Sequence, residues 1–110
     1  MLVAEPVSAR SARHYPCLDL LVAVFEGPTS AKTCDAVLLE VWESGGLLQT
    51  DCDAAQGCAV RLSLASATVH GRVSTCVKDE YGYLVEFTVE STGGWFPGTY
   101  RPAYLLAETG

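Results

Sequence analysis

The sequence predicts an all-β domain, a six-stranded antiparallel β-barrel or sandwich. Three observations predict it. Six apolar runs of strand length recur at regular spacing, short turn-forming clusters separate them, and no stretch carries a convincing helical period. The chain has 110 residues, 49% of them hydrophobic. That is too apolar for a disordered chain and enough for one modest core. A strongly twisted six-strand sheet closes on itself, which also removes its adhesive edges.

Residues 1–16 read as an irregular, mobile N-terminal arm, punctuated by Pro6 and Pro16 and rich in Ala, Ser and Arg. Residues 8–13 have no apolar face to support a helical turn. Residues 17–110 read as the barrel domain. The first strand is expected over 18–26 (LDLLVAVFE), and Gly27, Pro28, Thr29 and Ser30 form the turn after it. The second strand is expected over 34–42 and the third over 46–51. Between them lies the stretch that organises the chain, VLLEVWESGGLLQT, in which Ser44, Gly45 and Gly46 are expected to supply the positive φ of a tight hairpin. Glu40 and Glu43 are its polar exceptions, and a carboxylate there faces either ligand or water.

Asp51, Asp53, Gln56 and Gly57 then read as turn chemistry, because the remaining ligands of a calcium loop are missing. Residues 58–65 alternate, with Val60, Leu62 and Leu64 on one face. Residues 69–77 place Val69, Gly71, Val73, Thr75 and Val77 on one face and His70, Arg72 and Ser74 on the other. A polar turn at 78–82 leads to the last strand, 83–89, with Tyr83, Val85, Phe87 and Val89 facing one way. After a loop at 91–94 comes an aperiodic aromatic tail with Trp95, Phe96, Tyr100 and Tyr104. It is expected to pack across an open end or side of the sheet, with a short helical turn at 102–107.

The formal charge of −6 argues against a nucleic-acid polymer as partner. Arg10 and Arg13 form a local basic cluster that leaves room for a small anion. No apolar run approaches the roughly 20 residues of a bilayer span. The basic residues of the N-terminus follow its apolar ones, the wrong order for a signal peptide, so a cytoplasmic location is expected. Cys17, Cys34, Cys52, Cys58 and Cys76 make an odd set of five with no CxxC pair, and the two histidines are far apart. No metal site is expected, and the cysteines read as reduced, small apolar residues.

Catalytic signatures are missing. There is no nucleophile elbow, no phosphate-cradling GxxxxGK and no dinucleotide GxGxxG. Cys17 near His14 is the nearest approach to a nucleophile–base pair, yet nothing would fix the imidazole or build an oxyanion hole. No enzyme and no catalytic residue are expected.

Three passages resemble the PilZ domain. The arm RSARHYP is similar to the family's RxxxR followed by an aromatic and a proline. LEVWESGG is similar to its (D/N)xSxxG stretch. QGCAVRLSL, VHGRVSTC and GYLVEF resemble its later strands, and WFPGTYRPAYLL looks like the C-terminal extension of some members. The resemblance spans nearly the whole chain and implies a bacterial signalling barrel with a short C-terminal extension. In PilZ domains, cyclic di-GMP is held by arginines that stack on guanine and fork onto phosphate. Here Arg10 matches the first arginine, His14 stands at the second with Arg13 one place early, and Glu40 takes the acidic position. Trp42 stands where the family carries serine, and Gly45 matches.

The resemblance therefore implies a degenerate member, a non-catalytic adaptor that engages another protein, with Trp42, Trp95, Phe96 and Tyr100 as partner-facing candidates. The alternative is a cyclic di-GMP receptor that uses Arg10, Arg13, His14, Glu40, Trp42 and Gly45. Neither reading needs a cofactor, a metal or a membrane, and both leave the oligomeric state open.

Overall fold

The computed structural model describes residues 14–64, 68–90 and Trp95. They form β1 (Tyr15–Glu26), β2 (Ala31–Trp42), β3 (Gly45–Thr50), β4 (Ala59–Ser63), β5 (Thr68–Asp79) and β6 (Gly82–Val89). The strands pair antiparallel and close in the order β1-β2-β3-β6-β5-β4. The fold is the six-stranded barrel that the sequence predicts. β1 starts ahead of its apolar run because Tyr15 and Pro16 pair with Val41 and Glu40.

The core follows the two-residue period of the strands. β1 contributes Cys17, Leu21, Ala23 and Phe25, β2 contributes Cys34, Ala36, Leu38 and Val41, and Leu48, Leu62, Val85 and Phe87 fill the middle. Bulges break the period where the barrel bends. On β2 the register shifts between Leu38 and Glu40, so the inward residues Leu38 and Val41 are three apart. On β5 it shifts between Val73 and Thr75. The expected single face of β5 is thereby split. Val69, Gly71 and Val73 are buried, but beyond the bulge Cys76 is half-buried while Thr75 and Val77 are exposed. One extra residue in a strand reverses the direction of every side chain after it.

The glycines of the central hairpin serve a different purpose from the one expected. The turn is Glu43–Ser44, and Gly45 and Gly46 are the first residues of β3. Positive φ occurs at Gly57 and Gly82 instead. A side chain at Gly45 would collide with the Phe87 carbonyl of β6. At Gly46 a Cβ would stand 2.8 Å from both the Glu40 carbonyl oxygen and the Phe87 ring. Close approach of three strands excludes a side chain at both positions.

The barrel has a hairpin end, with the β2–β3 turn and the start of β1, and a strap end, crossed by residues 51–58 on their way from β3 to β4. Gly57 and Cys58 are tied to β5: Gly57 N–H donates to the Val73 carbonyl (2.8 Å) and Val73 N–H to the Cys58 carbonyl (2.9 Å). At its other side the strap is joined to β2 by a Cys34–Cys52 disulfide, Cα–Cα 6.4 Å. This corrects the expectation that the cysteines are all reduced. The reason lies in the register: Ala36 faces Thr50 across the β2–β3 ladder, so two residues farther along Cys34 comes opposite Cys52. Cys17, Cys58 and Cys76 carry free thiols.

Candidate functional site

Four of the residues singled out in the sequence meet at the hairpin end. His14 precedes β1, and the pairing of Pro16 with Glu40 carries it alongside the end of β2. Its ring stacks on Trp42 with centroids 4.0 Å apart and planes 14° from parallel. Its Nδ1 lies 3.2 Å from Glu40 Oε1, both side chains being partly exposed. Trp42 itself is only 8% exposed. Gly45 pairs directly with Trp42. Arg10 and Arg13 lie outside the described residues, as do Phe96, Tyr100 and the helical turn expected at 102–107.

Trp95 seals this end. It is 3% exposed, and its indole N–H is shared between the carbonyls of Trp42 (2.8 Å) and Gly45 (3.1 Å). Its ring meets Phe87 edge-on at 5.6 Å, a favoured aromatic geometry. The tail was expected to close the barrel, and at Trp95 it does. Trp42 and Trp95 are therefore packing residues rather than exposed anchors.

The Cys17 thiol and the His14 imidazole have separate partners. Cys17 Sγ–H donates to the Leu38 carbonyl at 3.5 Å. Burial, with the nearby Asp19 and Glu40 charges adding to it, pushes its thiol from 9.0 up to about 12. A thiol held that high is neutral and unreactive at ordinary pH. Among the described residues, no group of three or more His, Cys, Asp or Glu side chains could hold a metal ion, and no helix is long and apolar enough to cross a membrane.

The outer wall carries a feature that the hairpin does not. Cross-strand pairing aligns Leu20, Val37, Gln49, Leu84 and Val77 in one row across β1, β2, β3, β6 and β5. Leu20 is 81% exposed and Val77 58%, and Leu18 and Val22 on β1 are exposed beside them. Gln49, the polar member, is held by Asp79 through its Nε2 (3.1 Å). At the strand spacing of about 4.8 Å the row spans about 19 Å. The neighbouring row, Glu40, Leu47, Glu86 and Thr75, carries two carboxylates, and Asp35 faces Val22 on the other flank. The run LDLLVAVF held the signal for this surface. A strand with one wet face alternates, and one apolar on both faces implies an outer face made for contact.

No protein-family model matches the chain, and no curated protein matches it.

Proposed function

We propose that the chain is a PilZ-like, non-catalytic signalling barrel that acts as a protein-interaction adaptor. The observation that carries this reading is the outer apolar row from Leu20 to Val77, with Leu18 and Val22 beside it. An outer row that is apolar on four of its five strands, exposed at Leu20 and Val77 and partly buried at Val37 and Leu84, with carboxylates on its flanks, suits a partner segment that has an apolar stripe and basic edges. The net charge of −6 draws such a segment in and repels acidic ones.

The hairpin favours the same reading over the cyclic di-GMP alternative. His14 already stacks on Trp42 and lies 3.2 Å from Glu40, so three of the residues that the receptor reading assigns to the ligand are engaged with one another. A dinucleotide would first have to displace that imidazole. The proposed location is the cytoplasm, where disulfides are typically transient and redox-responsive.

Two measurements test the proposal. Calorimetric titration of the folded protein with cyclic di-GMP is expected to show no saturable heat. Micromolar binding that disappears in Arg10→Ala and Arg13→Ala would replace the adaptor with a receptor. Pull-down with wild type and Leu20→Asp in parallel is expected to recover a partner on the wild type alone. Equal recovery on both would remove the row from the interface.

A further inference from the structure

The sulfur atoms are distributed unevenly. Cys17 is buried near the hairpin end, whereas Cys34, Cys52, Cys58 and Cys76 gather around the strap. Cys34 and Cys52 are bonded. Cys58 is a strap residue, and Cys76 Sγ accepts the strap N–H of Ala54 at 3.5 Å. We propose that Cys34–Cys52 is a redox modification site, a clasp whose reduction frees residues 51–56 of the strap and leaves the barrel folded.

The two halves of the strap are held differently. Gly57 and Cys58 make two backbone bonds with Val73, and Arg72 Nη1 donates to the Gly57 carbonyl at 3.0 Å. Residues 51–56 have the disulfide, the weak Ala54–Cys76 bond, the contacts of Lys32 Nζ with Asp53 Oδ1 (2.8 Å) and the Asp53 carbonyl (3.1 Å), one backbone bond in which Cys58 N–H donates to the Ala55 carbonyl (3.1 Å), and partial packing of Cys52 and Ala54 on the core. The Lys32–Asp53 pair is solvent-exposed on both sides, and such pairs hold a loop poorly. A half-open cleft of about 140 Å³, lined by Phe25, Lys32, Asp53, Ala54 and Cys58 among others, borders this half. The disulfide is therefore the one covalent restraint on 51–56 and the chief one on 51–54, while the ladder bonds guard 57–58 and reach back to Ala55 through Cys58 N–H.

The chemistry is thiol–disulfide exchange with a dithiol. Cys34 is buried and Cys52 is half-exposed, so an incoming thiolate reaches Cys52 Sγ first. It bonds to that sulfur and expels Cys34 as a thiolate, which takes a proton. The second thiol of the reductant then attacks the mixed disulfide and releases Cys52. Two electrons pass to the protein, which gains two thiols, and the dithiol leaves as its own disulfide. The freed strap uncovers Phe25 and withdraws the Ala54 N–H from Cys76.

The test uses the full chain, oxidised and then reduced with dithiothreitol, followed by amide hydrogen exchange and peptide-resolved alkylation. Reduction is expected to accelerate exchange over 51–56 by at least about tenfold at Ala54, the amide of this segment that donates a hydrogen bond. Gly57, Cys58 and the strands should hold their protection. Cys76 should alkylate faster by a similar factor, while Cys17 stays inert in both states. Unchanged exchange over 51–56 would overturn the proposal. So would acceleration spread through all six strands, which would make the bond a plain structural crosslink, or a mass showing five free thiols in the protein before reduction. Cys52→Ser should reproduce the reduced pattern without reductant, and if it does not fold the wild-type comparison still decides.

Discussion

The two ends of the barrel are closed by different chemistry. At the hairpin end, Trp95 donates its indole N–H to carbonyls of residues 42 and 45 and lays its ring against Phe87. These groups come from β2, β3 and β6, so that closure exists only when the barrel exists. At the strap end, one covalent bond joins neighbouring segments, an exposed ion pair supports it, and only the last two strap residues share the strand ladder. The first closure is cooperative with the fold, whereas the second is separable from it. A separable end is where a protein can be adjusted without being unfolded.

The largest expected effect tests the cooperative end. Trp95→Ala removes a buried aromatic and leaves the Trp42 and Gly45 carbonyls without their donor. A loss of about 3–5 kcal/mol is expected, read as a lower urea midpoint at unchanged slope. A loss under about 1 kcal/mol would mean that the hairpin end does not depend on its plug.

Next is the covalent end. Replacing Cys34 and Cys52 together by Ala should cost about 3 kcal/mol, since the linked residues are 18 apart in sequence. Adding reductant to that variant should change nothing further. A continued response would point to the remaining thiols and would blur the contrast between the ends.

A third prediction concerns pH. The folded Cys17 thiol is held up at about 12 against an ordinary 9.0. The stability this contributes is present below pH 9 and is lost as pH rises from 9 to 12, because the unfolded chain ionises there and the native chain does not. The slope should be no more than about 1.4 kcal/mol per pH unit. Cys17→Ala should abolish it, and an identical alkaline slope in that variant would assign the loss to other groups.

The smallest effect is at the surface of the hairpin end. His14→Ala removes a stacked but half-exposed ring, and a loss of about 0.5–1 kcal/mol is expected. Trp42 fluorescence should shift to the red as the indole meets water. An unchanged spectrum would show that other groups shield Trp42.

Much of the barrel was legible because strand signals are local. The alternation in residues 58–65 and 83–89 and the turns at 27–30 and 78–82 need no knowledge of distant partners. The candidate site was legible in part. His14, Glu40, Trp42 and Gly45 could be named from a resemblance, but their mutual contacts depend on Pro16 meeting Glu40 across β1 and β2. The β1 part of the row was signalled by the run LDLLVAVF, but the row as a whole was hidden because its members stand on five strands, and Val37, Gln49, Leu84 and Val77 are each ordinary in their own sequence neighbourhoods.

By itself, the sequence determined the number of strands, their antiparallel succession and most of the inward face, since a period of two residues and the chemistry of turns are written within a few positions. Tertiary structure alone decided which way Val77 points, why Gly45 and Gly46 carry no side chain, and that Cys34 meets Cys52. Each of these depends on the register between strands. Register is a property of two segments at once, set by bulges and close backbone approach that neither segment encodes alone.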